Sequence, residues 1–149
     1  MIYRNKNKER GFTLIEIMVV IIILGILASI VGVKVVGHVD EARVTQAKVQ
    51  METFKTALES YRLQNSYYPT TEQGLQALVN PPTVGRLPQH YQEGGYLERI
   101  PKDPWGYDYI YISPGLINTR TFDISSYGAD NEPGGEGKDA DINSWDSVE

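Results

Sequence analysis

At 149 residues the chain has room for one modest domain plus an anchor. It contains no cysteine, which excludes disulfides, zinc-thiolate sites and thiol catalysis. The net charge of −5 is unevenly placed: Arg4, Lys6, Lys8 and Arg10 against Glu9 give residues 1–11 a charge of +3, leaving −8 for the remainder. A basic leader, an apolar run and an acidic body match the positive-inside orientation of a membrane protein, and no basic face is left for nucleic acid.

Residues 12–36 are almost wholly apolar, interrupted by Glu16, Ser29 and Lys34. A helix needs roughly 20 such residues to cross a bilayer. The run fits either a secretory signal with a small-residue cleavage site near Ala28 or a retained membrane helix. The residues beyond it favour the second. Val44, Ala47, Met51, Phe54, Leu58 and Tyr61 are spaced 3-4-3-4-3, a single apolar seam on a helix. No proline interrupts the chain from Phe12 to Asn65. At ~1.5 Å per residue, one continuous helix of roughly 80 Å is expected. Its first half would lie in lipid and its second, amphipathic half would pack on a small head.

Glu16 stands out, since a carboxylate in a membrane helix costs about 2.5–3.5 kcal/mol. It either lies near the helix end and reaches interfacial water, or meets a cation such as a free amine at Phe12, in the same chain or a neighbour.

Gly11-Phe12-Thr13-Leu14-Ile15-Glu16, after a short basic leader, resembles the processing motif of type IV pilins and pseudopilins. The resemblance implies that a prepilin peptidase removes residues 1–11 by cutting between Gly11 and Phe12, and that Phe12 is then N-methylated. It also implies that Glu16 neutralises the amine of an adjacent subunit during assembly. Val33 departs from the family, which usually carries a proline between the positions of Ser29 and Gly37. Proline would remove a helical hydrogen bond, whereas Gly32 beside Val33 weakens a helix by only about 1 kcal/mol.

The long helix is expected to end near Asn65, because Tyr68-Pro69 disfavours its continuation. Thr70 precedes Gln73 at capping-box spacing, and Leu75, Leu78 and Val79 give a second, short helix an apolar face before Pro81-Pro82 stops it. Residues 83–106 read as loop. Residues 107–112 and 121–125 alternate as strands, with Pro114-Gly115 and Asn118 between them as turn chemistry, so a hairpin is expected. The fold class is α+β: a pilin-like long N-terminal helix on a small antiparallel sheet, with residues 37–149 as the head.

Tyr68-Pro69-Thr70-Thr71-Glu72-Gln73-Gly74-Leu75 and Pro101-Lys102-Asp103-Pro104-Trp105-Gly106-Tyr107-Asp108-Tyr109 resemble segments of the major pseudopilin of type II secretion systems. Their physical role is structural, Pro and Gly setting turns while Trp105 and the tyrosines pack.

From Asp123 onward the chain is acidic and glycine-rich. Its composition suits a solvated acidic tail and a calcium loop equally, since calcium takes six to eight oxygen ligands. Asp139-Ala140-Asp141-Ile142-Asn143 begins like an EF-hand, but Ser144 stands where that loop needs glycine. Ser126-Tyr127-Gly128-Ala129-Asp130, together with residues 139–145, resembles the calcium loop of major pseudopilins. The resemblance implies calcium ligands at Asp130, Asp139 and Asp141, with Glu136 as a possible substitute.

That family implies a homo-oligomeric helical filament joined through residues 12–36. The protein would sit in the inner membrane of a Gram-negative bacterium with its head in the periplasm, beside other pseudopilins and inner-membrane components of the secretion machine. The filament would drive folded exoproteins across the outer membrane. A type IV pilin of a surface or DNA-uptake filament is the nearest alternative, disfavoured by the missing cysteines and by the pseudopilin-like segments at 68–75 and 101–109. An anchored enzyme or calcium-dependent binding module is the other. His38 and His90 sit in no constellation with a nucleophile, so no catalytic site is expected.

Overall fold

A computed structural model of the chain describes residues 12–146, and between 29 and 38 only the backbone is described. The expected leader, Gly11 included, and the side chain of Val33 lie outside the described residues. The chain divides into two units, Met1–Val39 and Asp40–Glu149.

In the first unit, α1 (Leu14–Asn65) begins immediately after Thr13. Leu14, Ile15, Ile21, Ile22 and their neighbours up to Leu27 are exposed. Among the described residues no helix is long and apolar enough to cross a membrane. The side chains of residues 29–36 of the expected span lie outside the described residues.

The second unit is built on the rest of α1, which ends at Asn65 as its sequence requires. Ala47, Met51, Phe54, Leu58 and Tyr61 of the seam are all buried, with Val44 packed at the margin. The 3-4 spacing keeps them on one face, which is why a single helix can form one whole side of the core. Side-chain hydroxyls of Thr45, Thr53, Thr56 and Ser60 turn back onto carbonyls one turn earlier on the polar side.

Against this face lies a three-stranded antiparallel sheet in the order β1 (Ile110–Ile112), β2 (Asp123–Ser126), β3 (Ile142–Asn143). Tyr111 pairs with Ile124, and Ser126 with Ile142. Tyr111, Ile124 and Ile142 enter the core, and Phe54 meets Tyr109 edge-on at 5.1 Å. The expected hairpin is therefore present, with shorter strands, and β3 is an addition.

The expected second helix is instead a four-residue 3₁₀ turn, Leu75–Leu78. Its capping box forms: the Thr70 N–H donates to Gln73 Oε1 at 3.0 Å and the Gln73 N–H to Thr70 Oγ1 at 3.3 Å. Gly74 then takes φ 62°, which breaks the helical path that the box would otherwise have started.

Candidate functional site

Two regions carry the residues singled out from the sequence. At the start of α1, Thr13 and Glu16 form a reciprocal cap. The Glu16 N–H donates to Thr13 Oγ1 at 3.3 Å, and the Thr13 N–H donates to Glu16 Oε2 at 3.5 Å. Thr-x-x-Glu is a capping-box pattern, so the signal was in the sequence. Among the described residues the Glu16 carboxylate is held by this one long, exposed bond. The donor is a neutral amide, so a charged amine would draw the carboxylate away at little cost. Phe12 beside it is 80% exposed.

The second region is the acidic loop. Residues 130–138 are all exposed. The loop is closed by backbone bonds: the Ala129 N–H to the Lys138 carbonyl at 3.0 Å, and the Asp141 N–H to the Gly134 carbonyl at 3.2 Å. Gly135 makes the closure possible. It sits at φ +80°, and a Cβ there would lie 2.3 Å from the Asp139 carbonyl oxygen.

The three expected ligands each have a local partner. Asp130 Oδ1 accepts the Glu132 N–H at 3.1 Å. Asp139 Oδ1 accepts from Lys138 Nζ at 2.9 Å, and Asp141 Oδ1 accepts the Gly134 N–H at 3.0 Å. Their chemistry fits a hard cation, since all are oxygen donors. Their side chains are not converged: among the described residues no three acidic, imidazole or thiol groups are gathered to hold a metal.

Three polar residues organise the head in ways the sequence reading did not reach, Gln73 among them beyond its place in the capping box. Asp103 Oδ1 accepts the N–H groups of Trp105 (3.1 Å) and Tyr107 (2.8 Å), while Oδ2 accepts the Ser126 hydroxyl at 2.6 Å. Gln73 Nε2 donates to the Val84 and Arg86 carbonyls at 2.7 and 2.9 Å. Asp123, grouped with the acidic tail by composition, is buried and belongs to the hairpin. Its Oδ2 accepts the Ile117 N–H at 2.7 Å, and Oδ1 accepts from Asn118 N and Nδ2 at 3.0 and 2.9 Å. Burial raises its pKa, but these hydrogen bonds outweigh it and leave the carboxyl below its ordinary value.

Comparison with known proteins identifies the framework these residues serve. The family model for type II secretion system (T2SS), protein G matches residues 34–145. The chain belongs to this family. A prokaryotic N-terminal methylation motif matches residues 6–32. Type II secretion system core protein G of Vibrio cholerae is 49% identical over 142 residues, covering 95% of both chains. Its counterpart in Pseudomonas aeruginosa is 47% identical over 142 residues, covering 95% of this chain and 99% of that protein. The crystal structure of the major pseudopilin from the type 2 secretion system of enterohaemorrhagic Escherichia coli superposes with a TM-score of 0.65 at 42% identity. That match covers 74% of this chain and 92% of the other. The chain is thus a pseudopilin subunit of type II secretion, a structural family rather than an enzyme family, and a component of the cell envelope.

Proposed function

We propose that this protein is the major subunit of a type II secretion pseudopilus, polymerising through residues 12–36 to drive folded exoproteins across the outer membrane. The observation that carries the reading is the methylation motif at residues 6–32 joined to a protein G match over residues 34–145. Prepilin peptidase cuts between Gly11 and Phe12, and the new amine at Phe12 is methylated. In the inner membrane, Glu16 exchanges its Thr13 bond for the amine of a neighbouring subunit, so a buried carboxylate acquires a charged partner. Residues 12–36 make the single membrane pass and the head faces the periplasm, where other pseudopilins and inner-membrane components of the machine meet it. A structural role fits the family, and no catalytic role is proposed for the chain. Its described histidine, His90, is exposed, and its backbone N–H is bound to Asn65 Oδ1 at 3.2 Å.

Calcium is the proposed ligand of the acidic loop, held by Asp130, Asp139 and Asp141. The donor set is all oxygen and lies on one short loop, exposed at Asp130 and half-buried at Asp139 and Asp141, which supports the assignment. Converging the three carboxylates requires Asp139 to leave Lys138 and Asp141 to share its Gly134 bond. The bound ion would then offset the mutual repulsion of the acids, making its affinity part of head stability.

The test is intact mass and N-terminal sequencing of protein taken from membranes of cells with their own peptidase. An N-terminus at Phe12 bearing one added methyl is expected. Cleavage near Ala28 would make the protein an ordinary secreted one and end the filament reading.

A further inference from the structure

Charge on the head is strongly one-sided, with 17 acidic against 9 basic side chains in Asp40–Glu149. Three of those bases nevertheless share one cleft. About 680 Å³ in volume, it is lined by Arg62, Arg86 and Arg120, with Tyr67 and Tyr68 as aromatic walls. Glu59 is the one acid in its lining, and it is already engaged. Its Oε2 accepts from Arg62 Nη2 at 3.0 Å, and its Oε1 accepts the Tyr68 hydroxyl. Burial, and then that bond to Glu59, push the Tyr68 phenol up to about 12, so it stays a neutral donor.

Arg86 and Arg120 are left. Among the described residues neither pairs with a carboxylate. The Arg86 guanidinium carbon lies over the Tyr67 ring, 4.0 Å from its centroid. A stacked guanidinium keeps its edge N–H groups free for a planar acceptor, the geometry that suits carboxylate.

The same head carries the complementary feature. Residues 130–138 form its longest uninterrupted exposed run, and the side chains of Glu132 and Glu136 pair with no cation among the described residues. The one base in that run, Lys138, is taken by Asp139 at 2.9 Å. The loop is tied back by its own backbone bonds and does not line the arginine cleft of its own head.

We infer that the cleft of Arg62, Arg86 and Arg120 in one copy receives Glu132 and Glu136 from the loop of a second copy. This rests on the filament reading. Heads this acidic repel when packed side by side, and a contact between different patches on successive copies turns that repulsion into a fixed register. A second copy is favoured over any other partner because Arg86 and Arg120 on one side and Glu132 and Glu136 on the other are exposed on the same chain and, among the described residues, form no ion pair.

The absence of cysteine makes the test clean. Thr119→Cys lines the cleft and Pro133→Cys sits in the loop; full-length chain carrying both is assembled in cells with their secretion machinery and treated with a short bis-maleimide. A ladder of cross-linked multimers is expected with both cysteines and none with either alone. Filaments without a ladder would overturn the inference while sparing the filament reading. No filaments even from the unaltered chain would remove both.

Should the cysteine pair block assembly, charge reversal decides. Arg120→Glu and Glu132→Arg should each cut filament yield about tenfold, and the two together should restore most of it. Single reversals that assemble normally would refute the contact. So would an Arg120→Glu chain that assembles but fails to secrete, since the cleft would then serve cargo.

Discussion

Asp123→Ala should destabilise the head far more than loss of any acid in the exposed run of residues 130–138. Asp123 opens β2 and is 4% exposed, and its two oxygens take three hydrogen bonds from Ile117 and Asn118. Those bonds fix the connection between β1 and β2. Truncation leaves three donors without their acceptor, but Ile117 is exposed and Asn118 half-buried, so water can partly replace it. The loss should therefore fall near 1 kcal/mol per bond, or about 3 kcal/mol in total. For a unit of 110 residues, Asp40–Glu149, the unfolding entropy makes this a fall in Tm of roughly 13 °C. Asp123→Asn keeps one oxygen and should lose about half as much. The assay is thermal unfolding of that fragment by circular dichroism at pH 7. The pH dependence adds a second check. Because the folded carboxyl is more acidic than the unfolded one, its contribution is complete above the ordinary carboxylate range and disappears as pH falls through the lower folded value. The gap between wild type and variant should narrow in acid. A fall in Tm under about 3 °C at pH 7, or a gap that does not change with acid, would refute the reasoning.

Phe54→Ala removes a fully buried ring from its contact with Tyr109 and should cost about 3–5 kcal/mol, read as a lower denaturant midpoint. Gly135→Ala forces a Cβ against the Asp139 carbonyl at positive φ and should cost about 2 kcal/mol. Hydrogen exchange at the Ala129 and Asp141 amides should speed up with it. Burial raises the phenols of Tyr109 and Tyr111 above their ordinary value. The stability they hold as neutral groups is therefore full below about pH 10 and lost as pH climbs beyond, which phenolate absorbance against unfolding will show. Calcium at 100 times its dissociation constant should stabilise the head by about 2.7 kcal/mol. Asp130→Ala should abolish that gain, and an unchanged rise in Tm would remove Asp130 from the ligand set.

The seam on α1 could be read from the sequence because six residues at 3-4 spacing leave a helix no choice of face. The strands could be located but not bounded. Tyr107 and Tyr109 continue the alternating pattern, yet β1 starts only at Ile110. Asp103 explains the delay: its N–H donates to the Tyr107 carbonyl at 2.8 Å and its carboxylate accepts from the Tyr107 N–H, holding residues 103–107 in a closed turn. Nothing in residue type distinguishes this aspartate from one in solvent. β3 escaped for a related reason, since Ile142 is a single apolar residue among acids, and its pairing with Ser126 is long-range. The acids at 130, 139 and 141 could be flagged by type, but which of their oxygens a cation would find depends on side-chain turns that spacing does not encode.

The same polar residues account for how a head with so little regular structure holds together. Between Asn65 and Ile110 the described elements are one four-residue 3₁₀ turn, so most backbone groups there find no ladder. Buried backbone must still be satisfied. Asn65, Gln73 and Asp103 do this by proxy: Asn65 Oδ1 takes the His90 N–H, Gln73 spans two carbonyls, and Asp103 serves Trp105 and Tyr107. Each is buried, and each lets several residues of loop pass over the helix without forming a strand. The core they cover runs from Ala47 to Ile142, whereas the methylation motif ends at residue 32. The two sets of residues do not overlap in sequence. Lesions in the first should therefore be read in melting curves and lesions at Phe12 or Glu16 in processing and assembly, and a variant that shifts both would point to a contact that neither segment predicts by itself.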